Sequence, residues 1–256
     1  MRVASLFAVA FAGLALAAQA KIVEKHIDYT YNGQAMKGFL AYDDAKSGAP
    51  GVLVVHEWWG LNDYVRGRTR QMAELGYVAF APDMYGNGQV TRDPKVAGEW
   101  SGKVRADLAP RARAGLDILR KQPGVDASRL GAMGFCFGGS TVLALAYSGE
   151  DLKGIVSFHG GLFPPEDSQL GKIKPSIAIL HGEADTFVKP ETIAQVKQSL
   201  EKGKVDWYMV SYAQAVHAFT NPDADSFKIP GIGYNEKAEK RSWAEMQRFF
   251  QERLGK

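Results

Sequence analysis

The sequence predicts an α/β protein: a mostly parallel, twisted sheet flanked by helices, with an antiparallel hairpin at its amino-terminal edge. Three observations predict it. Short apolar runs alternate with longer amphipathic stretches along the chain, which is the pattern of βαβ units. Two alternating segments, Ile22 to Tyr31 and Ala35 to Tyr42, meet at Asn32-Gly33, a pair that two-residue hairpin turns prefer. The chain has 256 residues, 46% of them apolar and 23% charged, enough to bury one large core.

The elements follow in order. After the hairpin, Gly51 to His56 reads as a strand buried on both faces, and Arg66 to Leu75 as a helix ended by Gly76. Tyr77 to Ala81 is a strand stopped by Pro82. Arg92 to Lys121 reads as mostly helical, broken near Pro110. Leu130 to Phe135 is a strand that leads into a helix from Gly138 to Tyr147. Gly154 to Phe158 and Ser176 to Leu180 are strands, and Pro190 to Leu200 is a helix with proline at its start. Val205 to Tyr212 is the last strand and Glu236 to Leu254 the last helix. The stretch from Asn221 to Asn235 reads as a long loop, and long loops in compact domains are often functional. No repeat or linker divides residues 21–256, so they read as one domain.

Residues 1–20 read differently. Arg2 precedes an apolar run from Val3 to Ala18, and Ala18-Gln19-Ala20 has the small-x-small form of a cleavage site. This is the pattern of a secretory signal peptide cut after Ala20, which predicts export, to the periplasm in a bacterial cell. An uncleaved anchor is the competing reading, but the run is rich in Ala and Gly and short for a bilayer span of ~20 apolar residues. No later segment could span a membrane. Formal charge is +3, with no basic block, which argues against a nucleic-acid partner. A monomer acting on a small molecule is the expectation.

The chain has a single cysteine, so no internal disulfide can form even in an oxidising compartment. A lone cysteine is ordinarily a packed structural thiol. Cys136, however, sits in Gly134-Phe135-Cys136-Phe137-Gly138-Gly139, directly after an apolar strand and before a helix. That is the context of a nucleophile elbow, where small residues two before and two after the nucleophile let the chain turn sharply. The following helix would aim its positive end at the sulfur and favour a thiolate. A glycine-rich turn around a packed cysteine is the alternative at this point.

An elbow nucleophile needs an acid and a histidine later in the chain, in that order. The strand Ser176 to Leu180 runs into His181-Gly182-Glu183-Ala184-Asp185, and His217 follows the last strand. Asp185 and His217 therefore fall in loops at one sheet edge, the edge that carries sites in open α/β folds. Asp185 as a turn residue and His217 as a surface histidine are the plain alternatives. Of the other histidines, His26 lies in the hairpin, while His56, His159 and His181 end strands and could line the site; His181 is the main rival to His217. The loop after Gly51 to His56 would supply one oxyanion donor, the N–H of Trp58, to pair with the N–H of Phe137. Trp59, Tyr85, His56 and Phe219 are candidate substrate contacts, with Trp59 equally readable as core. His56-Glu57 does not begin a metal motif, because Gly60 stands where a second histidine is needed. No phosphate-binding glycine loop is present, so neither metal nor cofactor is expected.

With these pieces in place, the chain resembles the dienelactone hydrolase family of α/β-hydrolases. The resemblance rests on His56-Glu57-Trp58-Trp59-Gly60, Ala81-Pro82-Asp83-Met84-Tyr85, Gly134-Phe135-Cys136-Phe137-Gly138-Gly139, His181-Gly182-Glu183-Ala184-Asp185 and Ala215-Val216-His217-Ala218-Phe219, in the family's order across nearly the whole mature chain. It implies the α/β-hydrolase fold and a triad of Cys136, Asp185 and His217. It also implies that Glu57 pairs with the nucleophile at rest until substrate displaces it. Cleavage of an ester or an enol-lactone through an acyl-thioester is the activity implied. Family members carry arginines after the Pro-Asp-x-Tyr segment and just beyond the histidine, to hold a substrate carboxylate. Here Gly86, Asn87 and Gly88 follow Tyr85, and Thr220, Asn221 and Pro222 follow Phe219. A bidentate carboxylate clamp cannot be built from these. The rival reading is a binding or envelope-associated protein on a hydrolase scaffold; a redox-sensing thiol would lack a resolving cysteine.

Overall fold

The computed structural model of the chain describes residues 21–255, so the signal-peptide reading of residues 1–20 lies outside them. The strands are β1 Ile22–Tyr31, β2 Gln34–Asp43, β3 Ala49–Val55, β4 Val78–Ala81, β5 Val125–Phe135, β6 Gly154–Phe158, β7 Ser176–Gly182 and β8 Trp207–Tyr212. They form one sheet in the order β1-β2-β4-β3-β5-β6-β7-β8. β1 pairs antiparallel with β2 and β2 with β4, and every other pair is parallel. The hairpin turn is Asn32-Gly33, with φ of 47° and 76°, the left-handed pair that a tight turn between right-twisted strands requires.

The helices are α1 Asp63–Glu74, α2 Pro94–Val104, α3 Leu108–Arg120, α4 Phe137–Tyr147, α5 Asp167–Leu170, α6 Pro190–Lys202 and α7 Glu236–Leu254. Three expectations need correction. α1 starts before Arg66, because the Asn62 side chain accepts from the Val65 N–H and caps the helix there. The break between α2 and α3 is a 3₁₀ turn at Arg105–Asp107, not at Pro110. Pro110 lies in the first turn of α3, where its missing N–H has no intrahelical partner to lose. β5 also starts earlier than Leu130: Val125 and Asp126 pair with Ala49 and Pro50 before an irregularity at Pro50–Gly51.

Alternation along β3 shows why the central strands read as unbroken apolar runs. Leu53 and Val55 enter a core with Leu116 and Leu119 of α3, Val142 and Leu145 of α4, and Val196 and Leu200 of α6. Val52 and Val54 enter a second core with Val65 and Met72 of α1 and Met246, Phe249 and Phe250 of α7. Both faces of the sheet are thus covered, as crossover helices demand of parallel strands. Five loops at the carboxyl ends of β3, β5, β6, β7 and β8 converge at one edge, and these carry Glu57, Cys136, His159, Asp185 and His217. No helix among the described residues is long and apolar enough to cross a membrane.

The rigidity of that edge depends on the layer beneath it. Phe250 is fully buried and packs where Gly131 of β5 leaves room for its ring. Phe250→Ala should lower the unfolding free energy by about 3–5 kcal/mol, through lost burial plus an unfilled cavity, read as a fall in the urea midpoint.

Candidate active site

Cys136 stands between β5 and α4 with φ 54° and ψ −114°, a conformation that is costly for a residue with a Cβ. Its surroundings impose it. The Cys136 N–H points at both the Phe158 carbonyl, 3.0 Å away, and His159 Nδ1, 3.1 Å away. A Cβ on Gly134 would overlap the Gly138 carbonyl, and one on Gly138 would overlap that of Val55, so the turn closes only with glycine at both positions.

The His217 ring comes from the loop after β8. Its Nδ1 lies 2.8 Å from Asp185 Oδ2, and Asp185 Oδ1 accepts from the Phe187 N–H at 2.9 Å. The Asp185–His217 pair is buried. The backbone of His217 is clamped to the following loop: its N–H donates to the Gly231 carbonyl and its carbonyl accepts from Gly233. With Nδ1 on Asp185, the remaining ring nitrogen, Nε2, is left for the cavity that His217 and Cys136 line together. Burial pulls the His217 pKa down, but the charge on Cys136 and hydrogen bonds to Asp185 and Cys136 outweigh it and carry the ring up to about 10. His181, the rival histidine, has no hydrogen-bond partner on its buried Nδ1, and burial holds it below its ordinary value.

Glu57 follows β3 and is 2% exposed. Its Oε2 accepts from Asn221 Nδ2 at 2.7 Å, while its buried Oε1 has no partner. Burial pushes this carboxyl up to about 7, against the opposing pull of Asn221 and His217. The resemblance implied a resting pair between Glu57 and the thiol. Here the Glu57 carboxyl is bonded to Asn221 instead, and the thiol faces His217.

Glu57, Trp58, Trp59, Cys136, Phe137 and His217 all line one cavity of about 880 Å³. Its further wall combines the apolar Leu108, Ala144, Leu162, Phe163 and Val188 with the cations Arg105 and Lys189 and the hydroxyls of Ser101, Ser140 and Thr192. Phe137 opens α4, where the first N–H groups have no intrahelical acceptor. Three expected substrate contacts are absent from the lining. His56 is fully buried, its ring stacked on Phe137, and its Nε2 accepts from the Met84 N–H. Tyr85 packs behind the wall and donates its hydroxyl to the Trp58 carbonyl at 2.9 Å, bracing the loop that presents Trp58. Phe219 is a core ring against His159 and Tyr212. Nearness in sequence to site motifs suggested these three, but their side chains turn into the scaffold.

Residues outside the expected set hold the site together. His159, itself at φ 38°, receives the Cys136 N–H on Nδ1, so its Nε2 carries the proton and donates to Thr220 Oγ1 at 2.7 Å. Burial holds the pKa of this ring well below its ordinary value. Thr220 Oγ1 also meets the Tyr64 hydroxyl, and the Thr220 carbonyl accepts from Arg68, which is paired with Glu239 of α7. The only local signal for His159 was its position at the end of β6 on the site edge; Thr220 and Asn221 had none beyond lying just after His217. Among the described residues, no cluster of three or more His, Cys, Asp or Glu could hold a metal ion.

The raised pKa of His217 has a consequence for stability. A histidine whose folded pKa exceeds its unfolded value stabilises the fold fully below about 6.5, and that contribution disappears as pH rises through about 10. Asp185→Asn should therefore lower the His217 pKa in an NMR titration. The stability gap between wild type and variant should be widest near pH 6 and shrink towards pH 10, read by denaturant unfolding.

Residues 36–254 match the sequence profile of the dienelactone hydrolase family. A Salmonella typhimurium protein provisionally named carboxymethylenebutenolidase is 30% identical over 239 residues, 88% of this chain and 85% of that protein. Among solved structures, a dienelactone hydrolase-like promiscuous phosphotriesterase from metagenomic libraries superposes with a TM-score of 0.89 at 41% identity, over 93% of this chain and 100% of that one. The dienelactone hydrolase of Anabaena variabilis shares the fold, with a TM-score of 0.65 at 20% identity over 91% of this chain and 99% of that one. The chain belongs to the dienelactone hydrolase family.

Proposed function

We propose that this protein hydrolyses an ester or lactone through a covalent intermediate on Cys136. The observation that carries the reading is that Cys136, on its strained turn, and the His217 ring, itself bonded to Asp185, line one cavity. With the thiol proton already held on His217 Nε2, the sulfur attacks the substrate carbonyl carbon and the C–S bond forms. The N–H groups of Trp58 and Phe137 receive the negative oxygen of the tetrahedral intermediate. As the intermediate collapses, the C–O bond to the leaving group breaks and His217 returns the proton to that oxygen. Water then attacks the thioester, again losing its proton to His217, and the C–S bond breaks to release the acid. Asp185 holds the imidazole in the tautomer and orientation that both steps need.

The apolar side chains of the wall favour a substrate with a sizeable hydrocarbon part, and Arg105 and Lys189 put positive charge on the same wall. A purely binding role has no need of a strained elbow or of a buried acid–histidine pair beside it. We also propose export, with the signal peptide cut after Ala20, on the pattern of residues 1–20.

With p-nitrophenyl acetate, the native protein should release a burst of p-nitrophenol, and Cys136→Ala should release none above background. Equal rates would remove the reading. Cys136→Ser should keep little activity, since a hydroxyl needs stronger activation than a thiol. Intact-mass measurement of protein from a periplasmic extract should give a chain beginning at Lys21; a chain retaining residues 1–20 would contradict export.

A further inference from the structure

The Glu57 carboxyl is the one group in the cavity whose bonding departs from what the family resemblance implies. Two features fix its present partner. Asn221 is 2% exposed, and its Oδ1 accepts from the Asp223 N–H at 2.9 Å. That contact sets the amide orientation, so the face turned to Glu57 is the Nδ2 donor and not the carbonyl. The Asn221 backbone is itself tied into the loop, its N–H to the Ala218 carbonyl and its own carbonyl to the Ala224 N–H. The donor aimed at Glu57 Oε2 is therefore preorganised by three contacts that involve no substrate.

We propose that Asn221 is a positioning residue. By holding Glu57 through Oε2 it keeps the carboxyl off the Cys136 thiol, so that the thiol is already committed to His217 before substrate enters. This rests on the reading of Cys136 as nucleophile. It replaces a trigger in which substrate must first displace the glutamate with a site that is armed at rest. The charged and titratable groups facing Glu57 are His217 from the loop after β8, Arg68 and Tyr64 from α1, and Asp223 beside Asn221. Only Asn221 donates a hydrogen bond to the carboxyl among the described residues. Without that donor, Glu57 has two unpartnered oxygens in a buried setting, and the Cys136 thiol, which lines the same cavity, is a group able to satisfy one of them.

The test is the rate at which iodoacetamide alkylates Cys136 in the ligand-free protein, followed by mass spectrometry from pH 5 to 9. Wild type should react far faster than a free thiol below pH 7. Asn221→Ser keeps an acceptor for the Asp223 N–H but is too short to reach Glu57. It should react about tenfold more slowly near pH 7, with its profile moved up by roughly one pH unit. Asn221→Ser combined with Glu57→Leu, which leaves no carboxyl to capture the thiol, should recover the wild-type rate. An Asn221→Ser profile that coincides with wild type would overturn the proposal. So would a double variant as slow as the single one, because the effect would then not run through Glu57. If wild type reacts no faster than a free thiol, the nucleophile reading fails as well, and the two failures are thereby distinguished. Asn221→Thr serves the same comparison should the serine variant not fold.

Discussion

A sulfur held in a left-handed backbone conformation, facing an imidazole from a loop 81 residues further along the chain, is the constraint on which the rest of this molecule depends. Cys136 would leave φ 54° if the chain were free to relax, because its Cβ crowds the backbone there. It stays because the Cys136 N–H is taken by Phe158 and His159, and because the glycines at 134 and 138 let β3 and α4 close around the turn. The strain is thus opposed by the packing of three parallel strands and a helix, which is why two full hydrophobic layers lie under so small a site.

The imidazole side is held just as firmly. The loop from Ala218 to Asn235 is pinned at Gly231 and Gly233, at Thr220 by Arg68, and at Asn221 by Glu57. Arg68 reaches from α1 and is paired with Glu239 of α7, so helices on one face of the sheet fix the loop that delivers His217. Tyr85 does similar work across the cavity by holding the Trp58 carbonyl. The polar groups in these contacts are buried or half-buried, and a buried one is costly if left unpaired. Glu57 Oε1 is the exception within the cavity wall.

Much of the fold was legible because its physics is local. β6 and α7 begin and end where apolar runs and caps in the sequence place them, and the hairpin turn follows from Asn32-Gly33. The break between α2 and α3 was misplaced because proline is a breaker only inside a helix, and Pro110 lies in a first turn. α5 went unseen because four residues carry no periodicity. At the site, the proximity of Cys136, Asp185 and His217 followed from chain order at the carboxyl edge of a parallel sheet. The supporting contacts did not. His159 meets Cys136 across 23 positions, His159 meets Thr220 across 61, and Asn221 meets Glu57 across 164. Nothing in local spacing marks such pairs. For the same reason sequence position misleads at His56, Tyr85 and Phe219: they stand near site motifs in sequence, while their own side chains pack into the scaffold.

Covalent chemistry at Cys136 is the claim from which the others descend. Rapid acid quenching of the native protein with p-nitrophenyl acetate, followed by peptide mass spectrometry, reads it directly. One acetyl group on the peptide that contains Cys136, formed within the burst and lost as turnover proceeds, is the predicted result. An unmodified Cys136 during active turnover, or acetyl groups confined to other residues, would contradict it.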